Sequence, residues 1–196
     1  MNTYKRNPLV VILVCGRAGS GKDTFAQFLK SALDKFSEDF TAIIPNAETV
    51  KEIARDKFNW NGVKDKEGRQ LLIDITEQGY KIDKFFWEKE TYVKALTKTD
   101  KIGRKPKYVI IPDWRYESTK EYFDLVADYV LCFKVLRDDT NSTHGDHSSE
   151  NNFKNFHAMI IDNNKDLDEL AKLSDFLGYS IKDNINDEEE SSCIKL

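Results

Sequence analysis

The sequence predicts an α/β protein of three layers, in which five parallel strands form one sheet with helices on both faces. Short apolar runs bounded by turn residues alternate with longer segments of helical periodicity along most of the 196 residues. That alternation is typical of a parallel sheet covered by helices. No internal repeat is present, and the length fits one domain with a substantial core.

The first half of the chain contains two predicted strands and four predicted helices. Residues 9–15 form an uninterrupted apolar run, which indicates a buried strand, and residues 40–44 form a shorter one. One segment has Val50, Ile53 and Ala54 on one helical face and is ended by turn residues 59–62. The four helices are predicted at residues 22–35, 48–58, 66–80 and 82–97.

The second half supplies the other three strands. They are predicted at residues 108–112, 129–135 and 158–161, with helices at 118–127 and 167–177. The intervening residues 98–106 and 137–152 are polar and rich in turn formers. Residues 183–196 are acidic and polar, so a flexible tail is expected there.

Composition excludes several classes of function. The formal net charge is −4, which does not favour binding to nucleic acid. The longest apolar stretch near the N-terminus, residues 8–15, is too short to span a bilayer, and no signal-peptide cleavage site follows it. The three cysteines have no metal-binding spacing. Buried free thiols and a cytoplasmic location are therefore expected.

A glycine-rich loop is the most specific motif. Residues 16–22 satisfy G-x-x-x-x-G-K, with a predicted strand before and a helix after, which is the context of a phosphate-binding P-loop. Glycines let backbone N–H groups approach phosphate oxygens, and the helix N-terminus adds further donors. Lys22 is predicted to bridge the β- and γ-phosphates of ATP. The predicted ATP-binding residues of the loop are Gly16, Arg17, Ala18, Gly19, Ser20, Gly21, Lys22, Asp23 and Thr24.

Two acidic residues are candidate magnesium ligands. Asp23 occupies the position after the lysine, where the motif requires Ser or Thr, and a carboxylate is a hard oxygen ligand for Mg²⁺. Asp113 ends an apolar strand, and in a parallel sheet that end lies near the glycine loop. Asp113 is expected to hold a magnesium-bound water or to accept a proton from the nucleophile. A strand-capping turn residue is the alternative for Asp113.

The chain resembles the bacteriophage deoxynucleoside monophosphate kinases, and its loop also resembles that of the animal-type phosphomevalonate kinases. The stretches that look like the phage kinases follow one another in the same order over residues 9–173. They are the loop G-x-x-x-S-G-K-D-T, A-E-T-V-K at 47–51, R-Q-L-L at 69–72 with Gly79 and Trp87, I-P-D-W-R at 111–115, T-H at 143–144 with S-E at 149–150, and M-I-I-D-N at 159–163 with L-D-E-L at 167–170.

The resemblance implies a nucleoside monophosphate kinase-like fold, with ATP as donor, Mg²⁺, and a (deoxy)nucleoside monophosphate as acceptor. Arg69 and Lys51 would clamp the acceptor phosphate, and Gln78, in the same matching region, would be a further substrate-binding residue. Arg115 would contact that phosphate or the transferring group. The neighbouring Trp114 is a candidate acceptor contact. Further implied residues are Arg137, on the ATP phosphates, and Asn163, beside the adenine; the catalytic set is Lys22, Asp113, Arg115 and Arg137.

These predictions define one P-loop kinase domain over residues 1–182, with a substrate-binding helical part at 45–100 and a short lid at 137–153. A kinase of another phosphorylated acceptor, phosphomevalonate-like or dephospho-coenzyme-A-like, and a non-catalytic ATP-binding module are the alternatives. The partners expected are small nucleotides, with monomer and homodimer both left open. The aromatic residues of the middle segment either stack a nucleobase or form core: Phe58, Trp60, Tyr80, Phe85, Phe86 and Trp87.

Overall fold

A computed structural model describes residues 8–138 and 156–193, with side chains to residue 187. The strands are β1 Val10–Cys15, β2 Phe40–Ile43, β3 Pro106–Ile111, β4 Tyr129–Leu136 and β5 Met159–Asp162. The helices are α1 Lys22–Phe36, α2 Ala47–Phe58, α3 Lys66–Ile82, α4 Phe86–Thr97, α5 Glu117–Val126 and α6 Leu167–Cys193.

The five strands form one parallel sheet in the order β2-β3-β1-β4-β5. β1 is central: Ile12 pairs with Ile110 of β3 on one side and with Leu131 of β4 on the other. Every residue of β1 is buried, as a strand covered on both faces requires. The predicted fold class, an α/β protein with a five-stranded parallel sheet between helices, is confirmed.

Each face of the sheet has its own apolar core. One face of β1, through Ile12 and Val14, packs on α1 and α6. The other face, through Val11 and Leu13, packs with residues of α4 and α5. The glycine loop leaves the carboxyl end of β1, on the edge of the sheet where ligands of such folds bind.

A third apolar cluster joins α2, α3 and α4, the predicted substrate-binding helical part. Trp60 and Trp87 are buried in it, so they are core residues and do not offer a stacking face. Trp87 lies against Gly79, where any Cβ would stand 2.5 Å from its ring, and its Nε1 donates to the Thr76 carbonyl at 2.8 Å. Phe58 is 56% exposed.

The last helix corrects the expectation of a flexible tail from residue 183. α6 continues to Cys193 because its apolar face continues beyond residue 177. Leu177, Ile181 and Ile185 recur at every fourth position, and all three are buried against the sheet and α1. Residues 183–187 therefore belong to the packed domain.

Within the described part of the chain, none of the helices combines the length and apolarity needed to cross a membrane.

Candidate functional site: a glycine-rich loop beside a cluster of cations

The glycine loop is held in shape by the end of β5. Gly21, which precedes α1, has φ +87°, a backbone conformation that favours glycine. The buried Asn163 side chain donates from Nδ2 to the Ser20 carbonyl at 2.8 Å. A Cβ on Gly21 would stand only 2.3 Å from that nitrogen. Asn163, which the resemblance placed beside adenine, thus lies under the loop and braces it.

The outer part of the loop is accessible to a ligand. Arg17, Ala18 and Gly19 are exposed, whereas Ser20 is buried. Lys22 and Thr24 are half-buried in the first turn of α1, and Asp23 between them is exposed. The first-turn N–H groups of α1 and the Lys22 ammonium can therefore face an anion.

Asp113 lies two residues after the end of β3, close to its predicted position at the strand end, and it caps α2. Its Oδ1 accepts a hydrogen bond from the Asn46 N–H at 2.8 Å, and its Oδ2 accepts one from the Ala47 N–H at 2.9 Å. These amides are among those that a helix start leaves unsatisfied, and a carboxylate there also suits the helix dipole. Each carboxylate oxygen retains a further lone pair. Asp113 therefore fixes the position of α2 whatever else it binds.

Trp114 is buried in the sheet core. Only 2% of its surface is exposed, its ring stacks on Phe156 at a centroid distance of 4.2 Å, and its Nε1 donates to the Tyr116 carbonyl at 2.8 Å. Its backbone N–H donates to the Val14 carbonyl at 3.1 Å, which ties β3 to β1 beside the loop. Trp114 therefore has almost no surface with which to make the predicted contact to the acceptor. Arg115, next to it, is exposed.

A group of cations gathers around Lys64, a residue that the sequence motifs do not single out. Desolvation lowers the pKa of the Lys64 ammonium, and the charges of Lys51, Arg115 and Arg69 lower it further. Asp23 opposes them and favours the charged form. Arg69 is held near the group because its Nε donates to the Lys64 carbonyl at 2.8 Å. We call Lys51, Lys64, Arg69 and Arg115 the cation cluster.

The loop that carries Lys64 is fixed at both ends. The Trp60 Nε1 donates to the Val63 carbonyl at 2.9 Å, and Asp65 caps α3 by accepting from the Gly68 N–H at 2.8 Å. Since the charge of Asp23 acts on Lys64, the Lys64 side chain of the cation cluster lies toward the first turn of α1. Repulsion among four cations is relieved when an anion binds between them.

The remaining predicted residues lie at the margins of this arrangement. Gln78 is exposed on α3, and Arg137 is exposed just after β4. Of the predicted lid, residues 139–153 lie outside the described part of the chain. The predicted role of Arg137 on ATP stays a prediction.

Asp23 and Asp113 have the chemistry of magnesium ligands. Among the described residues, no group of three or more His, Cys, Asp or Glu is arranged to hold a metal by itself. Mg²⁺ in kinases, however, takes one or two carboxylates and completes its shell with substrate phosphates and water. Asp23, accessible beside Lys22 and without a hydrogen bond or ion pair to any described residue, fits that requirement.

No protein-family model matches the sequence, and no curated protein matches it. Among solved structures, the chain is similar to a cysteine-to-alanine mutant of the Mycobacterium tuberculosis APS kinase CysC, at 12% identity and a TM-score of 0.41 over 84% of this chain and 93% of that one. It is also similar to an unliganded sugar kinase from Janibacter sp. HTCC2649, at 12% identity and a TM-score of 0.42 over 85% of this chain and 92% of that one. Similarity this low leaves the function to be inferred from the residues of this chain.

Proposed function

We propose that the protein is an ATP-dependent kinase that transfers the γ-phosphoryl group to the phosphate of a (deoxy)nucleoside monophosphate. The observation that carries the proposal is the cation cluster beside the glycine loop. Lys51 and Arg69 come from different helices, Arg115 from the loop after β3, and Lys64 from the loop before α3, yet the first three all act on the charge of Lys64.

The donor side consists of the loop and the start of α1. Backbone N–H groups of the loop and first turn bind the β- and γ-phosphates of ATP, and Lys22 bridges them. Asp23, with Asp113 as a second carboxylate, would hold Mg²⁺. Magnesium bound there supplies positive charge against the phosphate oxygens. Asn163 contributes by keeping the loop in its binding shape.

The acceptor side is the cation cluster. Phosphoryl transfer demands in-line positioning and positive charge around a loose, anionic transition state. Arginine suits this task because its fork binds phosphate through two parallel hydrogen bonds and stays charged. Arg69 and Arg115 hold the acceptor phosphate, while Lys51 and Lys64 add charge. The nucleoside part of the acceptor rests on the resemblance to the phage kinases.

A kinase of another small phosphorylated acceptor is the second candidate, since the same cluster would bind any phosphate monoester. A binding module without turnover is disfavoured by the cluster, because ATP binding alone does not require cations next to the first turn of α1.

The test is ADP release from Mg²⁺-ATP, measured with each of the eight common nucleoside and deoxynucleoside monophosphates. We expect one or a few acceptors to stimulate release strongly. Lys22→Ala should abolish that turnover without changing the circular dichroism spectrum. ATP binding with no response to any nucleotide would overturn the nucleotide acceptor, and mevalonate 5-phosphate and dephospho-coenzyme A would then test the second candidate.

A further inference from the structure

One buried acid lies outside both phosphate sites. Glu88 of α4 is fully buried, and its Oε1 accepts three hydroxyl hydrogen bonds: from Thr119 at 2.8 Å, Tyr80 at 3.1 Å and Ser118 at 3.2 Å. Within the described residues, Oε2 has no hydrogen-bond partner and no cation forms an ion pair with the carboxylate. Burying a carboxylate without a counter-ion costs free energy, which indicates that Glu88 has a function at this position.

The hydroxyl groups around Glu88 belong to helices on two sides. Tyr80 comes from α3, whereas Ser118 and Thr119 come from α5. Burial raises the pKa of the Tyr80 phenol, and the neighbouring Glu88 carboxylate raises it further. The phenol therefore stays protonated and remains a donor. Glu88 thus holds α3 and α5 to α4 through one oxygen atom.

The network continues from Thr119 to the start of α2. The Asn46 Nδ2 donates to the Thr119 Oγ1 at 3.5 Å, the limit of a hydrogen bond, and the Asn46 Oδ1 accepts from the Thr91 Oγ1 at 2.8 Å. Asn46 precedes α2 but its side chain caps no amide of that helix. Its side chain is held between α4 and α5, while its backbone N–H bonds Asp113.

We propose that Glu88 is a positioning residue for the acceptor side of the site. By fixing Thr119, it fixes Asn46 and so seats the first turn of α2 on the Asp113 carboxylate. Lys51, a member of the cation cluster, lies one turn after Ala47 on the same helix. The inference rests on the proposed function for the identity of the acceptor but not for the network itself.

A positioning role differs measurably from a purely structural one. If Glu88 only stabilised the fold, its removal would lower global stability and leave the KM values of the folded enzyme unchanged. A shift in the first turn of α2 instead displaces Lys51 and spares the glycine loop, which is braced by the end of β5. The KM for the acceptor should therefore rise while the KM for ATP stays the same.

The experiment compares Glu88→Ala, Glu88→Gln and Thr119→Val with the wild type. Ser174→Ala is the matched control, because Ser174 is a fully buried hydroxyl on α6, on the other face of the sheet. Amide hydrogen exchange at Asn46 and Ala47, followed by NMR, reports on the Asp113 cap without requiring activity. Steady-state kinetics with ATP and the best nucleotide acceptor report on Lys51.

We expect Glu88→Ala and Thr119→Val to speed amide exchange at Asn46 and Ala47 about tenfold. That factor corresponds to the free energy of one hydrogen bond. The β3 amide of Val109 should not change. The acceptor KM should rise by a similar factor, with the ATP KM within about twofold of the wild-type value. Glu88→Gln retains an oxygen acceptor and should recover most of both losses, and Ser174→Ala should cause neither.

Unchanged exchange at Asn46 and Ala47 in folded Thr119→Val would overturn the positioning role, as would equal increases in both KM values. If Glu88→Ala does not fold, Thr119→Val decides, since valine keeps the shape of threonine and removes only the hydroxyl. Faster exchange at these two amides in an enzyme that phosphorylates no nucleotide would support the network and refute the proposed function alone.

Discussion

At the scale of single residues, Gly21 meets two demands at once. Its φ of +87° places it in the left-handed region, and Asn163 fills the space where a side chain would begin. The left-handed conformation costs an L-residue roughly 1–2 kcal/mol, and displacing Asn163 would remove the brace on the Ser20 carbonyl. The motif therefore depends on the residue that follows β5 as well as on its own glycines.

Gly21→Ala should consequently lose both stability and ATP affinity. Gly62→Ala is the matched control, because Gly62 has φ +89° and a Cβ added there would meet nothing within 4 Å. Backbone strain should lower the free energy of unfolding of both variants by roughly 1–2 kcal/mol, and the collision with Asn163 should add to the loss in Gly21→Ala. Only Gly21→Ala should weaken ATP binding in calorimetry, and equal ATP affinity in the two variants would contradict the bracing role of Asn163.

Lys64 gives a prediction with a defined pH dependence. Its pKa is lowered in the folded protein by desolvation and by Lys51, Arg115 and Arg69, so its charge opposes folding at neutral pH. That penalty is complete below the lowered pKa and disappears as the pH rises through it toward the unfolded value of 10.5. Lys64→Gln should thus be more stable than the wild type at neutral pH, by a margin that shrinks in alkali. Urea unfolding of both proteins at neutral and alkaline pH measures that margin, and a margin that does not change with pH would contradict the lowered pKa.

The same substitution should impair the acceptor site. Losing one charge-assisted contact to phosphate should raise the acceptor KM about tenfold, while the ATP KM changes little. Lys101→Gln is the control, since Lys101 is exposed in the loop before β3, at the opposite edge of the sheet. An unchanged acceptor KM in Lys64→Gln, or an equal change in Lys101→Gln, would remove Lys64 from the acceptor site.

At the scale of elements, the acidic composition at the end of α6 led to a wrong prediction about where the packed domain ends. The last third of the helix is acidic and polar, which predicted a flexible tail, yet Ile185 is buried there, as is Ile181 one turn earlier. The fourfold spacing that they share with Leu177 was visible in the sequence and indicated a continuing helix face. Net charge describes the exposed side of a helix, and burial is decided by the few apolar residues on the other side.

Ending the chain after residue 182 should therefore destabilise the protein, whereas ending it after residue 187 should not. The shorter protein lacks Ile185, only 5% exposed, and full burial of such a side chain contributes about 1.5–3 kcal/mol. Urea unfolding of the two truncations measures the difference. Identical midpoints would show that residues 183–187 add nothing to the fold, and Ile185→Ala in the full chain would then be expected to be silent too.

At the scale of the whole molecule, periodicity predicted the strands and most helices to within a few residues, because burial on both faces demands continuous apolar runs. The periodicity of the sequence could not predict the contacts between side chains of distant elements. An acid just after β3 was predictable. The hydrogen bonds that Asp113 accepts from the N–H groups of Asn46 and Ala47 were not, because they depend on where α2 packs. Lys64 was missed because it lies in a loop without periodicity, and its importance comes from Lys51, Arg69 and Arg115 converging in space.

Cys15 is the last residue of the central strand and directly precedes the glycine loop. The rate at which its thiol is modified should therefore report whether a ligand bound at the loop stabilises the whole protein. Cys15 ends β1, is 1% exposed, and burial raises the pKa of its thiol to about 12. In the native state it should resist thiol reagents at pH 8, because little thiolate forms and access is blocked. Its modification, followed by mass spectrometry of the Cys15 peptide, should require opening of the sheet.

ATP should slow that modification. A ligand that binds only the folded state reduces the open population by a factor of 1 + [L]/Kd, about a hundredfold at one hundred times Kd, when closing is fast relative to labelling. Lys22→Ala, which keeps the fold but loses one phosphate contact, should lose most of this protection at the same ATP concentration. Equal rates for the wild type with and without saturating ATP would show that ATP does not bind the native loop, and would overturn the proposed donor site independently of any acceptor.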